Sequence, residues 1–195
     1  DASNGMAGTM IPRVFGKLAP KDLGPAKFDI IEINFENSKG VFAHEPNPLV
    51  AANMKQTQDA VLAHKADVGF CYDGDADRCM AVDEKGNIVG CDVLTGLLAK
   101  FFLAKTPGGS VAFDLRSTKA VEEEITKAGG KPVRGRVGHV FMKQALRDHN
   151  CVFGGELSGH FYFRDNFNAD SGAIAMSTIL TILSHEKAKN HKTLS

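Results

Sequence analysis

Val68-Gly69-Phe70-Cys71-Tyr72-Asp73-Gly74-Asp75-Ala76-Asp77-Arg78-Cys79-Met80-Ala81-Val82 is the stretch whose reading decides the fold. Val68–Tyr72 is a short apolar run that ends at an acid, and Cys79–Val82 is a second apolar run after the charges stop. Runs of this length bounded by turn residues are buried strands. Lys85–Gly86 then makes a turn, so the stretch predicts two strands joined by a tight acidic loop.

Within that loop, residues i, i+2 and i+4 project to one side of an extended chain, about 7 Å apart between neighbours. If the chain curls, Asp73, Asp75 and Asp77 converge on one point, and Gly74 and Ala76 are small enough to allow it. Two like charges at about 4 Å cost roughly 4 kcal/mol at an effective dielectric of about 20, so three such carboxylates call for a cation. Hard oxygen donors in this number suit Mg²⁺, with a coordination position left for a phosphate that Arg78 would also grip. A solvated acidic turn competes with this reading. An EF-hand competes less well: Glu84 falls at position 12 from Asp73, but position 6 is Arg78 where glycine is needed, and the flanks read as strands.

Outward from the loop, strand and helix patterns alternate. Upstream, Ala7–Leu18 reads as a helix, Phe28–Phe35 as an alternating strand, and Asn37–Leu49 as a long loop. Val50, Met54, Thr57 and Val61 share one helical face. Downstream, Val93–Leu103 is an apolar helix, Ser110–Asp114 a strand, and a helix follows that Ser117 or Thr118 would cap, with Val121, Ile125 and Ala128 on its buried face. Lys131–Arg136 reads as a strand, and Met142, Ala145, Leu146 and His149 share a helical face. Cys151–Gly154 and His160–Phe163 are strands around the Gly155–Gly159 loop, and Ser171–Lys187 is a closing helix. The pattern predicts an α/β fold of two consecutive α/β/α units with mixed sheets, divided as residues 1–88 and 89–195.

Composition sets the class. The chain has 195 residues, 43% hydrophobic and 24% charged, with zero formal net charge. That balance supplies a core and gives no electrostatic footprint for nucleic acid or an anionic membrane. No apolar run reaches membrane length. The four cysteines form no C-x-x-C pair and read as reduced, buried thiols of a cytoplasmic protein. The chain opens at Asp1 without an initiator methionine, which reads as a fragment.

A second loop, Gly155-Glu156-Leu157-Ser158-Gly159-His160, alternates a carboxylate, a hydroxyl and an imidazole between glycines. Such a set suits a polyhydroxylated ligand, although a glycine-rich surface hairpin would look the same.

Taken together, D-G-D-A-D-R at Asp73–Arg78 and G-E-L-S-G-H at Gly155–His160 resemble the magnesium loop and the sugar loop of the α-D-phosphohexomutase superfamily, of the phosphomannomutase/phosphoglucomutase type. Further matches lie in the family's order. Asp1–Gly8 is similar to the D-x-x-N-G-x-A-G opening of the second domain, and His44–Pro48 to that domain's H-x-P-N-P loop. Gly138-His139 with Lys143 is similar to the third domain's G-H-x-x-x-K segment, and Arg116 sits where the family often places a base at a strand end. The resemblance covers essentially the whole chain.

It implies phosphoglucomutase-like domains II and III, and a reaction that interconverts hexose 1-phosphate and hexose 6-phosphate through a phosphoserine and a bisphosphate intermediate. By that resemblance Asp73, Asp75 and Asp77 bind Mg²⁺ and Arg78 offsets charge on the transferring group. Glu156 and Ser158 hold sugar hydroxyls, and His139, Lys143, His160 and Arg116 contact sugar or phosphate. The family's phosphoserine motif and its R-x-S-G-T-E-P-like phosphate clamp have no counterpart here, so the first and fourth domains are expected to be the missing partners and this chain alone to be inactive. A non-catalytic sugar-phosphate and Mg²⁺ binding module derived from the family is the alternative. A Mg²⁺-dependent phosphotransferase that converged on the acidic loop is a third, and the sugar loop argues against it. Leu157 at the variable place of the sugar motif resembles dual-specificity enzymes, and the choice between mannose and glucose stays open.

Overall fold

The structure, a computed structural model, describes residues 1–15, 29–190 and 193–195. It divides into two compact units, Asp1–Ile88 with Ile179–Ser195, and Val89–Thr178.

In the first unit, α1 (Ala7–Phe15) is followed by a 3-10 turn at Ala51–Met54 that leads into α2 (Lys55–His64). Strands β1 (Val68–Tyr72) and β2 (Cys79–Asp83) pair antiparallel from Val68↔Asp83 to Tyr72↔Cys79, and β3 (Ile88–Val89) lies beside β2. Every residue of β2 is buried, as are four of the five in β1, so both faces of the hairpin are covered and its strands show no polar alternation before Asp83. Met54, Thr57 and Val61 form the buried face of the turn and α2, as expected; Val50 is exposed.

One expectation changes here. Asp29–Phe35 forms no strand: Ile33 and Asn34 accept isolated bonds from the Ala2 and Asn4 amides, and Asn34 at φ +55° turns the chain out of extended geometry. Alternation supplied the pattern, but no ladder partner lies alongside among the described residues. The helix expected over Ala7–Leu18 is present to Phe15; residues 16–18, and Phe28 of the expected strand, lie outside the described residues.

The second unit carries α3 (Cys91–Lys105), β4 (Ser110–Asp114), α4 (Lys119–Lys127), β5 (Lys131–Gly135), α5 (His139–Asp148), β6 (Cys151–Gly155), β7 (Phe161–Phe163) and β8 (Ala169–Asp170). Helix α6 (Gly172–Asn190) follows. The sheet runs β5-β4-β6-β7-β8, parallel among β5, β4 and β6 and antiparallel at β7 and β8.

Successive residues of a strand face opposite sides. A Cβ on Gly154 would meet Leu146 and Met142 of α5, and one on Gly155 would meet Thr95 of α3. Helices α5 and α3 therefore cover opposite faces, which makes the unit an α/β/α sandwich. On the α5 side Ala112, Met142, Leu146 and Tyr162 pack together. On the α3 side Phe102 stacks on Phe153 at 5.3 Å between ring centroids.

His149, expected on the buried face of α5, is exposed. The cap of α4 also differs from expectation: Thr118 is the N-cap residue but makes no side-chain cap bond, and the buried Ser117 hydroxyl has no partner. The Ser117 amide instead donates to the Asp114 carboxylate at 3.2 Å.

The α3 packing is testable at Gly155. A Cβ there would lie 2.2 Å from Thr95 Oγ1 and 3.0 Å from its Cβ, and the Thr95 hydroxyl is tied to Cys91 O at 2.7 Å. Gly155→Ala is expected to lower the urea midpoint by the equivalent of about 1–3 kcal/mol with an unchanged m-value; an unchanged midpoint would mean that α3 does not lie this close to β6.

Candidate active-site loops

The acidic loop closes the β1–β2 hairpin. Its bend is made at Ala76, which takes the left-handed conformation at φ +68° and is buried. Gly74, expected to help the curl, serves close packing instead: a Cβ there would sit 3.1 Å from the Phe42 ring, and its carbonyl accepts from Met6 N at 2.9 Å. The Asp1–Gly8 segment thus lies directly on the loop, and a Cβ on Gly5 would come within 2.6 Å of Gly74 O.

The curl brings Asp73, Asp75 and Asp77 together. One carboxylate oxygen from each lies within 4.8 Å of the others. They differ in surroundings: Asp73 is buried at 2% exposure, Asp77 half-buried and Asp75 exposed. Arg78 answers the buried one, donating from its amide to Asp73 Oδ1 at 3.1 Å and from Nε to Oδ2 at 2.5 Å. Its Nη1 reaches Asn47 Oδ1 of the His44–Pro48 loop at 3.5 Å. Burial pushes the Asp73 carboxyl up, the bonds from Arg78 pull it back, and the charge of Asp77 adds to the rise. The surroundings of Asp73 thus disfavour its charged form, the condition a divalent cation relieves. Three aspartates and one arginine leave a formal charge of −2 in the loop. The donor set is all hard oxygen and fits Mg²⁺.

The same first unit fastens the ends of this loop. Asp1 Oδ1 accepts from Ser3 N at 2.8 Å and from Asn34 Nδ2 at 3.0 Å, while Oδ2 lies 3.2 Å from His44 Nε2. Asp1 O accepts from Tyr72 N at 3.0 Å, so the opening segment adds to the edge of β1 just before Asp73.

In the second unit the Gly155–His160 loop turns between β6 and β7. Glu156 N donates to His160 O at 3.0 Å, which closes the turn. The alternation expected to present Glu156, Ser158 and His160 on one face is only partly realised. Glu156 is buried at 2% exposure, accepting from Gly138 N at 2.7 Å and from the Tyr162 hydroxyl at 2.6 Å. Ser158 Oγ and His160 Nδ1 lie 2.9 Å apart. Each carboxylate oxygen has two acceptor sites, so Glu156 keeps capacity for a further donor.

His139 is the exposed first residue of α5, next to the Gly138 amide that holds Glu156. Lys143, one turn on, places Nζ 3.0 Å from Asp170 Oδ1, and His160 Nε2 is 4.0 Å from Asp170 Oδ2. Arg116 donates to the fully buried Asp114, Nη2 to Oδ2 at 2.8 Å, and the same oxygen accepts from Leu157 N at 2.8 Å. Within this unit the predicted residues therefore fall into one connected set: Arg116 through Asp114 to the loop, His139 through Gly138 to Glu156, and Lys143 through Asp170 to His160.

Sequence reasoning missed Asp114, Tyr162 and Asp170. Asp114 carried a usable signal, an acid at the carboxyl end of a parallel strand, where open α/β sheets place their ligands. Tyr162 reads as an ordinary core aromatic, and β8, which carries Asp170, is too short to leave a pattern.

Residues 91–195 match the phosphoglucomutase/phosphomannomutase alpha/beta/alpha domain III, and residues 1–86 match domain II. The chain belongs to the phosphoglucomutase/phosphomannomutase family. It is 42% identical over 175 residues to a phosphomannomutase of Salmonella typhimurium, covering 89% of this chain and 38% of that protein. It is 40% identical over 185 residues to phosphohexose mutases of Xanthomonas campestris, covering 94% of this chain and 39% of those proteins. Among solved structures, a phosphoglucomutase/phosphomannomutase family protein from Burkholderia thailandensis superposes with a TM-score of 0.85 at 30% identity, covering 95% of this chain and 39% of that one. The chain thus spans well under half the length of the relatives it matches.

The acid side of the stability curve reports on Asp114. Burial raises its carboxyl pKa, but the bonds from the Arg116 side chain and from the Leu157 and Arg116 amides outweigh it, and the net shift is downward. A folded pKa below the unfolded one stabilises above the unfolded value, about 3.9 for Asp, and that stability is lost as pH falls through the lower folded value. The stability gap between the natural chain and Asp114→Asn should therefore be widest near neutral pH and shrink below about pH 4. Urea midpoints across that range measure it, and a constant gap would show that the ionised carboxylate is not what the fold uses.

Proposed function

We propose that this chain is the central part of a phosphohexomutase of the phosphomannomutase/phosphoglucomutase type. In the whole protein it would serve to interconvert hexose 1-phosphate and hexose 6-phosphate, mannose or glucose, through a phosphoserine and a bisphosphate intermediate. Residues 1–88 are assigned to the family's domain II and residues 89–195 to domain III, with the first and fourth domains as partners. The observation that carries the reading is the convergence of the three aspartate oxygens within 4.8 Å on a hairpin between buried strands. No helix among the described residues is long and apolar enough to cross a membrane, and we assign the protein to the cytoplasm.

Asp73, Asp75 and Asp77 are the residues that would hold Mg²⁺, which when bound supplies positive charge to a phosphoryl oxygen. The chain's own groups do the rest. Arg78 fixes the buried Asp73 and adds a guanidinium beside the transferring group, where electrostatic stabilisation contributes most in phosphoryl transfer. Glu156, held rigid by Gly138 N and Tyr162, has acceptor capacity for a sugar hydroxyl, and Ser158 can donate or accept. Lys143, His160, His139 and Arg116 bring cationic or hydrogen-bonding groups for sugar and phosphate.

The test is a mutase assay of the intact protein with mannose 1-phosphate and glucose 1-phosphate side by side, together with its Asp75→Asn variant. Asp75 is exposed, so the substitution leaves the fold intact. A loss of kcat by about two orders of magnitude or more is expected, the scale of removing one charge-stabilising group. Near-normal turnover of that variant at ordinary Mg²⁺ would contradict the assignment, and an inactive intact protein that still binds hexose phosphate would favour a non-catalytic module.

A further inference from the structure

Asp114 is fully buried, and its two oxygens do different work. Oδ1 accepts from the Arg116 amide at 2.7 Å and the Ser117 amide at 3.2 Å, which closes the turn after β4. That task needs one oxygen. Oδ2 accepts from the Arg116 guanidinium and from the Leu157 amide, each at 2.8 Å. Arg116 stands at the end of β4, and Leu157 follows Glu156 at the end of β6, so this single atom joins two separate strand ends. The Arg116 side chain is otherwise 44% exposed, long and free to adopt many rotamers, and an unbraced arginine there would be a poor positioning device. A charge-assisted bond to a fully buried carboxylate removes that freedom.

We propose that Asp114 is a positioning residue for the mutase reaction, setting the spacing between the Arg116 guanidinium and the Glu156–His160 loop through one shared oxygen. The inference rests on the reading of Arg116 and that loop as sugar-phosphate contacts. Bond by bond, the carboxylate also satisfies the Leu157 amide, so movement of the loop and movement of Arg116 are coupled. The guanidinium meets the ligand at a fixed distance from Glu156 because both hang from the same buried acid.

The experiment uses the intact protein, as natural sequence, Asp114→Asn, Arg116→Ala and the double variant, with kcat, KM and the thermal midpoint measured for each. In Asp114→Asn the remaining oxygen still closes the turn, but the amide NH₂ faces the Leu157 N–H and the guanidinium, donor against donor. Misplacement of the contact by about 1 Å is expected to lower kcat/KM about 10²-fold. In the Arg116→Ala background the same substitution should cost about tenfold less, because groups acting as a unit are not additive. A residue that serves only stability would lower the midpoint and multiply kcat/KM by the same factor in both backgrounds; that result, or an unaffected kcat/KM, overturns the proposal. Should Asp114→Asn not fold, Asp114→Glu, which keeps the charge but moves it by one methylene, replaces it with the same coupling expected. An inactive natural sequence would overturn the mutase reading itself, and the inference with it, and is seen before any variant is compared.

Discussion

A buried carboxylate at the tip of a buried hairpin is the constraint around which the first unit is built. Asp73 ends a strand with almost no solvent contact, and an unpaired acid there would carry a desolvation cost of several kcal/mol. Arg78 supplies an amide and a guanidinium hydrogen to it, and Asn47 steadies the guanidinium from the His44–Pro48 loop. The opening segment seals the other side, with Met6 N on Gly74 O and Asp1 paired to the edge of β1. These contacts offset part of the cost of burying Asp73 while two further aspartates are folded in beside it. The loop is therefore held together against its own electrostatics, and that imbalance is what the proposed cation would relieve.

The second unit solves a related problem with different chemistry. Asp114 and Glu156 are also acids buried at the carboxyl ends of strands, but both are held by donors from their own unit, four for Asp114, with Arg116 beside it, and two for Glu156. Buried acids held by several donors rigidify their surroundings. The first unit thus gathers three carboxylates against one guanidinium, while the second converts buried charge into fixed geometry.

Much of this was legible in the sequence wherever a pattern had a local cause. The hairpin, β4, α3 to α5 and the buried faces at Met54, Thr57, Val61, Val121, Ile125, Met142 and Leu146 follow from apolar periodicity and from Gly and Pro stops. The acidic loop was legible because three like charges in so short a span demand an explanation. What was not legible depended on partners distant in sequence. Alternation in Phe28–Phe35 suggested a strand, but strands exist through ladders, and the described part finds only two isolated bonds. The inward turn of Glu156 is set by Gly138 and Tyr162, which the motif does not contain. The contacts of Asp114 depend on Leu157, far along the chain, which donates to the same oxygen as Arg116.

The claim on which the rest stands is that the Asp73–Arg78 loop holds a divalent cation. Titrating the isotope-labelled chain with Mn²⁺ as a paramagnetic stand-in for Mg²⁺ tests it directly, because amide signals fade according to their distance from the bound ion. The account predicts that the amides of Gly74 through Arg78 and of the adjoining Gly5–Met6 segment broaden first and that excess Mg²⁺ restores them. Broadening that begins elsewhere, or that spreads evenly over the acidic surface, would contradict it.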